Sequence, residues 1–402
     1  HAIYPAMAIL FFIVFIDLLG FGIIIPQLPF YGLHFGASPA AVTLLMSCYS
    51  LAQFFMSPVL GRLSDRIGRR PVLLVSTACS CLAYLWLGFA SALWMLFAAR
   101  LLAGAGAGNI AAAQAYITDV TSPEKRAKGM GMIGAAFGLG FTIGPWLGGI
   151  VAGANPTAEA LQRPAFVAAG LCALAFILVI VLLKESLPQT GAQAPRASRW
   201  ELARSSLRRP TLRLLILLFF AITAAFAGME TTFALWTQEV FGWGPQQVGW
   251  LFFFVGCVLI VVQGGLIGPL SRRLGEARLV LIGSAAIALG LTTVTLADRL
   301  PILLLASAFL ALGMGLLNPS ISSLISRQAG AEERGGVMGV AQSGASLARV
   351  VGPAVAGPLF ELVGRNAPYY AGALVMLAVL GFALRLPREH SAPPGAEPER
   401  AS

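Results

Sequence analysis

Four ionisable side chains stand inside otherwise apolar stretches of this chain: Asp17, Arg100, Glu230 and Arg349. A carboxyl withdrawn from water holds its proton more tightly and a neighbouring cation loosens it, so Asp17 and Glu230 could bind and release a proton as their surroundings change. Arginine does not give up its proton, so Arg100 and Arg349 are fixed cations able to switch such a carboxyl or clamp an anion. Six neutral amides, Gln53, Asn109, Gln114, Gln263, Asn318 and Gln342, occupy similar stretches and could line a substrate cavity or hydrogen-bond between helices. No catalytic set accompanies them: the sequence has no P-loop, no Gly-x-Ser-x-Gly and no His-Glu-x-x-His. His1, His34 and His390 are scattered, and Cys48, Cys79, Cys81, Cys172 and Cys257 show no ligand spacing. The expectation is no enzyme, no metal and no cofactor.

The surrounding chain sets the medium in which these groups work. Of 402 residues, 57% are hydrophobic and 11% charged, whereas typical soluble domains are about 45–50% apolar and about 25% charged. Twelve apolar runs, near 5–30, 40–60, 72–90, 93–117, 129–152, 165–183, 212–236, 246–267, 279–297, 301–325, 336–359 and 368–386, approach the roughly 20 residues a helix needs to cross a bilayer. They are continuous rather than alternating, which favours helices over a barrel. The first is expected to be a span and not a signal peptide, because it is long and carries an acid in its middle. The net charge of +10 is not spread evenly: 22 of the 27 Lys and Arg residues fall in alternate loops or the C-terminal tail. By the positive-inside rule those loops and both termini are cytoplasmic, so the charge reports topology and not nucleic-acid binding. Each intramembrane Asp or Arg costs about 2.5–3.5 kcal/mol on insertion scales, which makes the four charges functional candidates. They fall in spans 1, 4, 7 and 11. Asp17 and Arg349 lie near mid-bilayer and Arg100 and Glu230 in the outer half. Trp236, Trp243 and Trp250 read as an interfacial belt, and Phe252, Phe253 and Phe254 as lipid-facing.

The two halves repeat each other at an offset of 206–209 residues. Gly61-Arg62-Leu63-Ser64-Asp65-Arg66-Ile67-Gly68 answers Gly268-Pro269-Leu270-Ser271-Arg272-Arg273-Leu274-Gly275, Asn109 answers Asn318, and Gly144-Pro145 answers Gly352-Pro353. Parallel repeats of this kind describe two bundles rocking around a central site. The expected domains are an N-terminal six-helix bundle (1–184), a cytoplasmic linker (185–210), a C-terminal six-helix bundle (211–386) and a disordered tail (387–402).

Three motifs sharpen the reading. The loop Gly61…Arg70, with Gly61, Asp65, Arg66, Gly68, Arg69 and Arg70, combines closely packed helix ends with one acid among several arginines. In it, Asp65 is the expected charge partner for the arginines and for a neighbouring helix N-terminus. Arg100 opens a run of small residues to Asn109. Gly140, Gly144, Pro145, Gly148 and Gly149 permit close packing and a bend in span 5. With Asp17-Leu18-Leu19-Gly20-Phe21-Gly22 in span 1 and Tyr116-Ile117-Thr118-Asp119-Val120 after span 4, the chain from about residue 5 to 386 resembles the major facilitator superfamily. Within it, the likeness is to the 12-span drug:proton antiporters nearest the tetracycline efflux group.

The resemblance implies an all-α membrane protein of twelve helices in two pseudo-symmetric bundles. It implies proton-coupled export of small amphipathic molecules or drugs by alternating access, from the cell membrane, by a monomer whose partners are substrate, protons and lipid. It also implies a cytoplasmic gate at Gly61…Arg70 and an antiporter role for Gly140…Gly149. Asp17 and Glu230 are the proton-coupling candidates, although Asp17 with Arg100, and Glu230 with Arg349, would serve equally as buried structural pairs. Where tetracycline antiporters carry further acids and a histidine, this chain reads Ala83, Ile287 and Leu259. A proton-coupled or facilitative transporter of an anionic metabolite, with both arginines as clamp, is the alternative; a non-transporting receptor is the reading from another class.

Overall fold

The computed structural model describes residues 3–107, 109–186, 199–330 and 333–385, and the described residues contain helices and no strand. In chain order the helices are α1 (Ile3–Ile24), α2 (Leu28–His34), α3 (Pro39–Ile67), α4 (Arg69–Gly88), α5 (Leu93–Gly106), α6 (Asn109–Val120), α7 (Pro123–Ala152) and α8 (Ala158–Leu182). There follow α9 (Arg199–Arg208), α10 (Pro210–Phe241), α11 (Pro245–Val261), a π-helical turn (Val262–Leu266), α12 (Ile267–Leu274), α13 (Glu276–Thr295), α14 (Leu300–Gln328), α15 (Arg334–Leu362) and α16 (Ala367–Ala383). Among the described residues nine helices are long and apolar enough to cross a membrane, and α5 and α16 are shorter apolar helices. Segments 187–198 and 386–402, within the expected linker and tail, lie outside the described residues, as does the side chain of Asn109.

Three expected runs are interrupted. The first ends at Ile24, because Pro26 offers no N–H to continue the ladder, and restarts as α2. The fourth breaks after Gly106, within Gly104-Ala105-Gly106-Ala107-Gly108, where glycines lower helix propensity. The eighth relaxes into the π turn at Gln263-Gly264-Gly265. Elsewhere prolines at the first helical turn and side-chain caps mark the starts: Ser38 Oγ accepts from the Ala41 N–H at 3.3 Å and Thr157 Oγ1 from that of Ala160 at 3.3 Å.

In the first part of the chain α1 packs on α7 and α8, α3 on α5, and α4 on α5 and α8. In the second part α10 packs on α15 and α16, α13 on α14 and α16, and α11 on α14. Two seams join the parts, α7 with α11 and α3 with α15. Both seams close over only part of their length. Pro145 and Gly149 meet Gly249, Ala154 meets Gly244, and Thr142 meets Gly256. On the other seam Thr43 meets Gly357, Ser47 Oγ donates to the Val350 carbonyl at 3.1 Å, and Glu361 accepts from the Ala40 N–H at 3.0 Å. The α7 face that carries Pro145 and Thr142 continues by helical spacing to Gly138, Gly134 and Gly131, which have open space before them. Gly264, Gly265 and Gly268 are equally open. Among the described residues, the seam glycines are packed at the end away from the basic loops and face open space at the end that bears them.

Candidate functional site

The four intramembrane charges lie on α1, α5, α10 and α15, each a seam helix or packed against one. Arg100, on α5, is 2% exposed. Its guanidinium carbon lies 4.5 Å from the Tyr49 ring centroid and 5.6 Å from that of Phe21. Its Nε has no hydrogen-bond partner among the described residues. Asp17, half-buried on α1, has the Cys172 thiol of α8 donating to its Oδ1 at 3.9 Å. In the other part, Gly228 of α10 and Gly352 of α15 let the two backbones touch; a Cβ on Gly352 would lie 2.2 Å from the Ala224 carbonyl oxygen. That approach carries Glu230 and Arg349 into mutual attraction, both half-buried. They do not form a contact salt bridge among the described residues: Arg349 instead donates to Ser346 Oγ at 3.2 Å. Tyr49, on α3, lies within electrostatic reach of Asp17, Arg100 and Arg349, so it stands between the charges of the two parts.

The amides divide. Gln53 Nε2 donates to the Ala107 carbonyl at 3.4 Å and thereby caps the interruption between α5 and α6. Asn318 is half-buried, and Gln114, Gln263 and Gln342 are exposed. Gln263 lies seven residues beyond Gly256, on the seam face of α11 continued toward the open end, and Gln342 seven residues before Arg349. Gln27, at the α1–α2 interruption, is fully buried, with neither amide atom partnered among the described residues. Trp236 is not a belt residue: it is 1% exposed, its Nε1 donates to Asn366 Oδ1 at 2.8 Å, and it packs against Tyr369. Phe252, Phe253 and Phe254 are half-buried: Phe252 meets Phe233 and Phe253 meets Trp146.

At the basic-loop end, α3 and α4 are joined at Gly68, whose φ of +109° disfavours other residues and whose Cβ would strike the Glu185 carboxylate. Arg69 is buried and donates to Asp65 Oδ1 at 2.5 Å, Ser64 Oγ at 3.1 Å and Asp119 Oδ2 at 2.9 Å. The acid at the start of α4 is Glu185, which accepts the backbone N–H groups of Arg69 at 2.8 Å and Arg70 at 3.1 Å. Asp65, the expected charge partner of the arginines, forms a contact ion pair with the Arg69 guanidinium. Arg70 donates to the Ile180 carbonyl at 2.7 Å, Gly61 faces open space and Arg66 is exposed.

The repeat supplies a counterpart with the signs exchanged. Ser271 stands for Ser64, Gly275 for Gly68, Glu276 for Arg69 and Arg327 for Asp119. Glu276 is buried and accepts from Arg327 at 2.6 Å, Ser271 Oγ at 3.2 Å and Ser323 Oγ at 3.2 Å. Sequence reading missed Tyr49, Glu185, Glu276 and Arg327. The last two were findable from the repeat, since a buried acid at an arginine's position demands a base at the acid's.

The span-5 motif faces two ways. Gly140, Gly144 and Gly148 press on Leu18, Gly22 and Ile23 of α1, and Pro145 with Gly149 presses on α11.

Comparison with known proteins agrees with this architecture. The family model for the Major Facilitator Superfamily matches residues 10–294 and 245–402. Tetracycline resistance protein, class E, from Escherichia coli is 34% identical over 354 residues, 85% of each chain. Multidrug resistance protein 2 of Bacillus subtilis (strain 168) is 28% identical over 377 residues, 92% of each. Among solved structures, the human organic anion transporter MFSD10 (TETRAN) superposes with a TM-score of 0.71 at 26% identity, covering 95% of this chain and all of that one.

Proposed function

This chain belongs to the Major Facilitator Superfamily and is a multi-pass membrane transporter with tetracycline and multidrug efflux relatives, and we propose that it is a proton-coupled antiporter exporting small amphipathic molecules. The observation that carries the reading is that two half-buried acids, Asp17 and Glu230, share the interior with Arg100 and Arg349, with Glu230 and Arg349 within electrostatic reach of each other and Tyr49 within reach of the other charges. Acids in that position can be protonated from one side and deprotonated from the other as the open end alternates. In this reading twelve spans form bundles 1–184 and 211–386, joined by the linker 185–210 and followed by a tail from 387. Both termini are cytoplasmic in a bacterial inner membrane, so the open end faces the cytoplasm. The proton gradient is the energy source and the unit is a monomer. Gln53, Asn109, Gln114, Gln263, Asn318 and Gln342 line the substrate path. Gly61, Asp65, Arg66, Gly68, Arg69 and Arg70 form the cytoplasmic gate. Tetracycline-like compounds are among the candidate substrates, but Ala83 and Ile287, at two of the positions where that group titrates, are fully packed apolar residues here. Coupling therefore passes through Asp17, Glu230 or both.

A second reading, transport of an organic anion clamped by Arg100 and Arg349, draws on the likeness to the human organic anion transporter. One experiment separates them: flux of tetracycline, ethidium and fluorescein in proteoliposomes with and without an imposed pH gradient, for the wild type and Asp17→Asn. Antiport predicts uphill movement of a drug probe only against a proton gradient, lost in Asp17→Asn while counterflow persists. Gradient-independent movement of fluorescein alone selects the anion reading, and wild-type uphill transport by Asp17→Asn removes Asp17 as proton carrier.

A further inference from the structure

Arg100 poses an electrostatic question that its salt-bridge chemistry does not answer. A guanidinium shut away from water needs compensation, and an uncompensated buried charge is strongly unfavourable. Tyr84 and Cys48 act on it electrostatically, and among the described residues what lies against it is aromatic. The Tyr49 and Phe21 rings, 4.7 Å apart, both lie within the roughly 6 Å over which a ring face attracts a cation. Tyr49 is the nearer, and its position is fixed from α5 itself. Gly104, four residues after Arg100 and on the same helical face, approaches so closely that a Cβ there would lie 2.2 Å from the Tyr49 carbonyl oxygen. Two residues earlier on α3, Ser47 is tied to Val350, the neighbour of Arg349. Tyr49 thus sits where the helix carrying the buried cation meets the helix that closes the seam.

We propose that Tyr49 is a positioning residue of the central site: the face of its ring holds the Arg100 guanidinium in the dry interior, and its hydroxyl is dispensable for that task. The transport consequence rests on the antiport reading; the contact itself does not, and the test keeps the two apart. Tyr49→Phe retains a ring face, whereas Tyr49→Leu keeps apolar bulk and removes it. In proteoliposomes, with ethidium and tetracycline as probes, Tyr49→Phe is expected to keep wild-type proton-driven transport. Tyr49→Leu should lose about tenfold or more, as follows from removing a desolvated cation–π contact, and should keep gradient-free counterflow. Equal losses in both variants would assign the role to the hydroxyl and overturn the proposal, as would a wild-type rate in Tyr49→Leu.

A second measurement needs no substrate. Thermal unfolding of the purified full chain is compared for Tyr49→Leu, Arg100→Met and the double variant. The loss caused by Tyr49→Leu should shrink by more than half when Arg100 is already methionine, and additive losses overturn the proposal. If Tyr49→Leu alone does not fold, the double variant is expected to fold, and its failure to do so counts against the proposal. Should the wild type move neither probe against a gradient, the antiport reading falls, and the unfolding cycle still decides Tyr49.

Discussion

Gly149→Ala should open the closed end of the molecule without unfolding it. A Cβ at this position would lie 2.6 Å from the Pro245 carbonyl oxygen, 3.1 Å from the Gln246 Cα and 3.2 Å from the Gly249 Cα. All three are backbone atoms of α11, which cannot rotate away as a side-chain tip can. Overpacking of this kind costs about 1–3 kcal/mol, which converts to a shift of roughly 5- to 150-fold in the ratio of closed to open seam. The penalty exists only while α7 and α11 touch, so it is relieved when the bundles rock apart. Its neighbour is the control. Gly148→Ala drives a Cβ to 2.1 Å from the Ile23 carbonyl oxygen of α1, a contact within one bundle that is kept in both states. That variant should lower thermal stability and leave the conformational ratio alone. The assay is pulsed electron resonance between spin labels at Asn155 and Gln238, which line a pocket of about 450 Å³ across the closed end. Gly149→Ala should populate a longer distance. A wild-type distribution in Gly149→Ala, or the same shift in Gly148→Ala, would refute the division of this motif between α1 and the α7–α11 seam.

Four further outcomes can be checked. Arg349→Ala or Glu230→Ala should each weaken substrate-induced thermal stabilisation by tetracycline or ethidium, and if the double change restores it the two residues form only a structural pair. Asp119→Ala leaves the buried Arg69 with one acid fewer and should lower the unfolding midpoint more than Asp65→Ala, whose carboxylate is the more exposed of the two. The exchange Glu276→Arg with Arg327→Glu, which recreates the signs of the first cluster, should recover stability that either single change loses; two additive losses would rule out the inverted pairing. The Ala40 N–H, and secondarily the Ser38 hydroxyl, hold the Glu361 carboxyl below its ordinary value. The contribution of Glu361 to the closed end is therefore complete above the ordinary carboxyl range and lost as pH falls through the depressed value. Acidification should lengthen the Asn155–Gln238 distance in the wild type, and Glu361→Gln should abolish that dependence.

Composition and run length determined that this chain crosses a membrane many times, because water cannot solvate so apolar a surface and lipid cannot solvate an unpaired backbone. The repeat of Gly61…Gly68 in Gly268…Gly275 determined that two halves share one plan, and a place inside apolar runs marked Asp17, Arg100, Glu230 and Arg349 as the groups to watch. Partners were not legible. The sequence offered no sign of Glu185, which lies 116 residues beyond Arg69 and accepts from the backbone at the start of α4. Nor did it point to the tyrosine ring that lies against Arg100. It put Trp236 at the bilayer surface, where the structure buries it beneath Asn366, the residue that precedes α16. Periodicity reports which face of a helix is apolar, not which neighbour meets that face; the neighbour is set by where glycines allow two backbones to touch. For the same reason the interruptions at Pro26 and Gly106 could be read as weak points, but the closed and open ends could not. Those depend on how far each seam zips, and the same glycines and prolines are compatible with either end being closed.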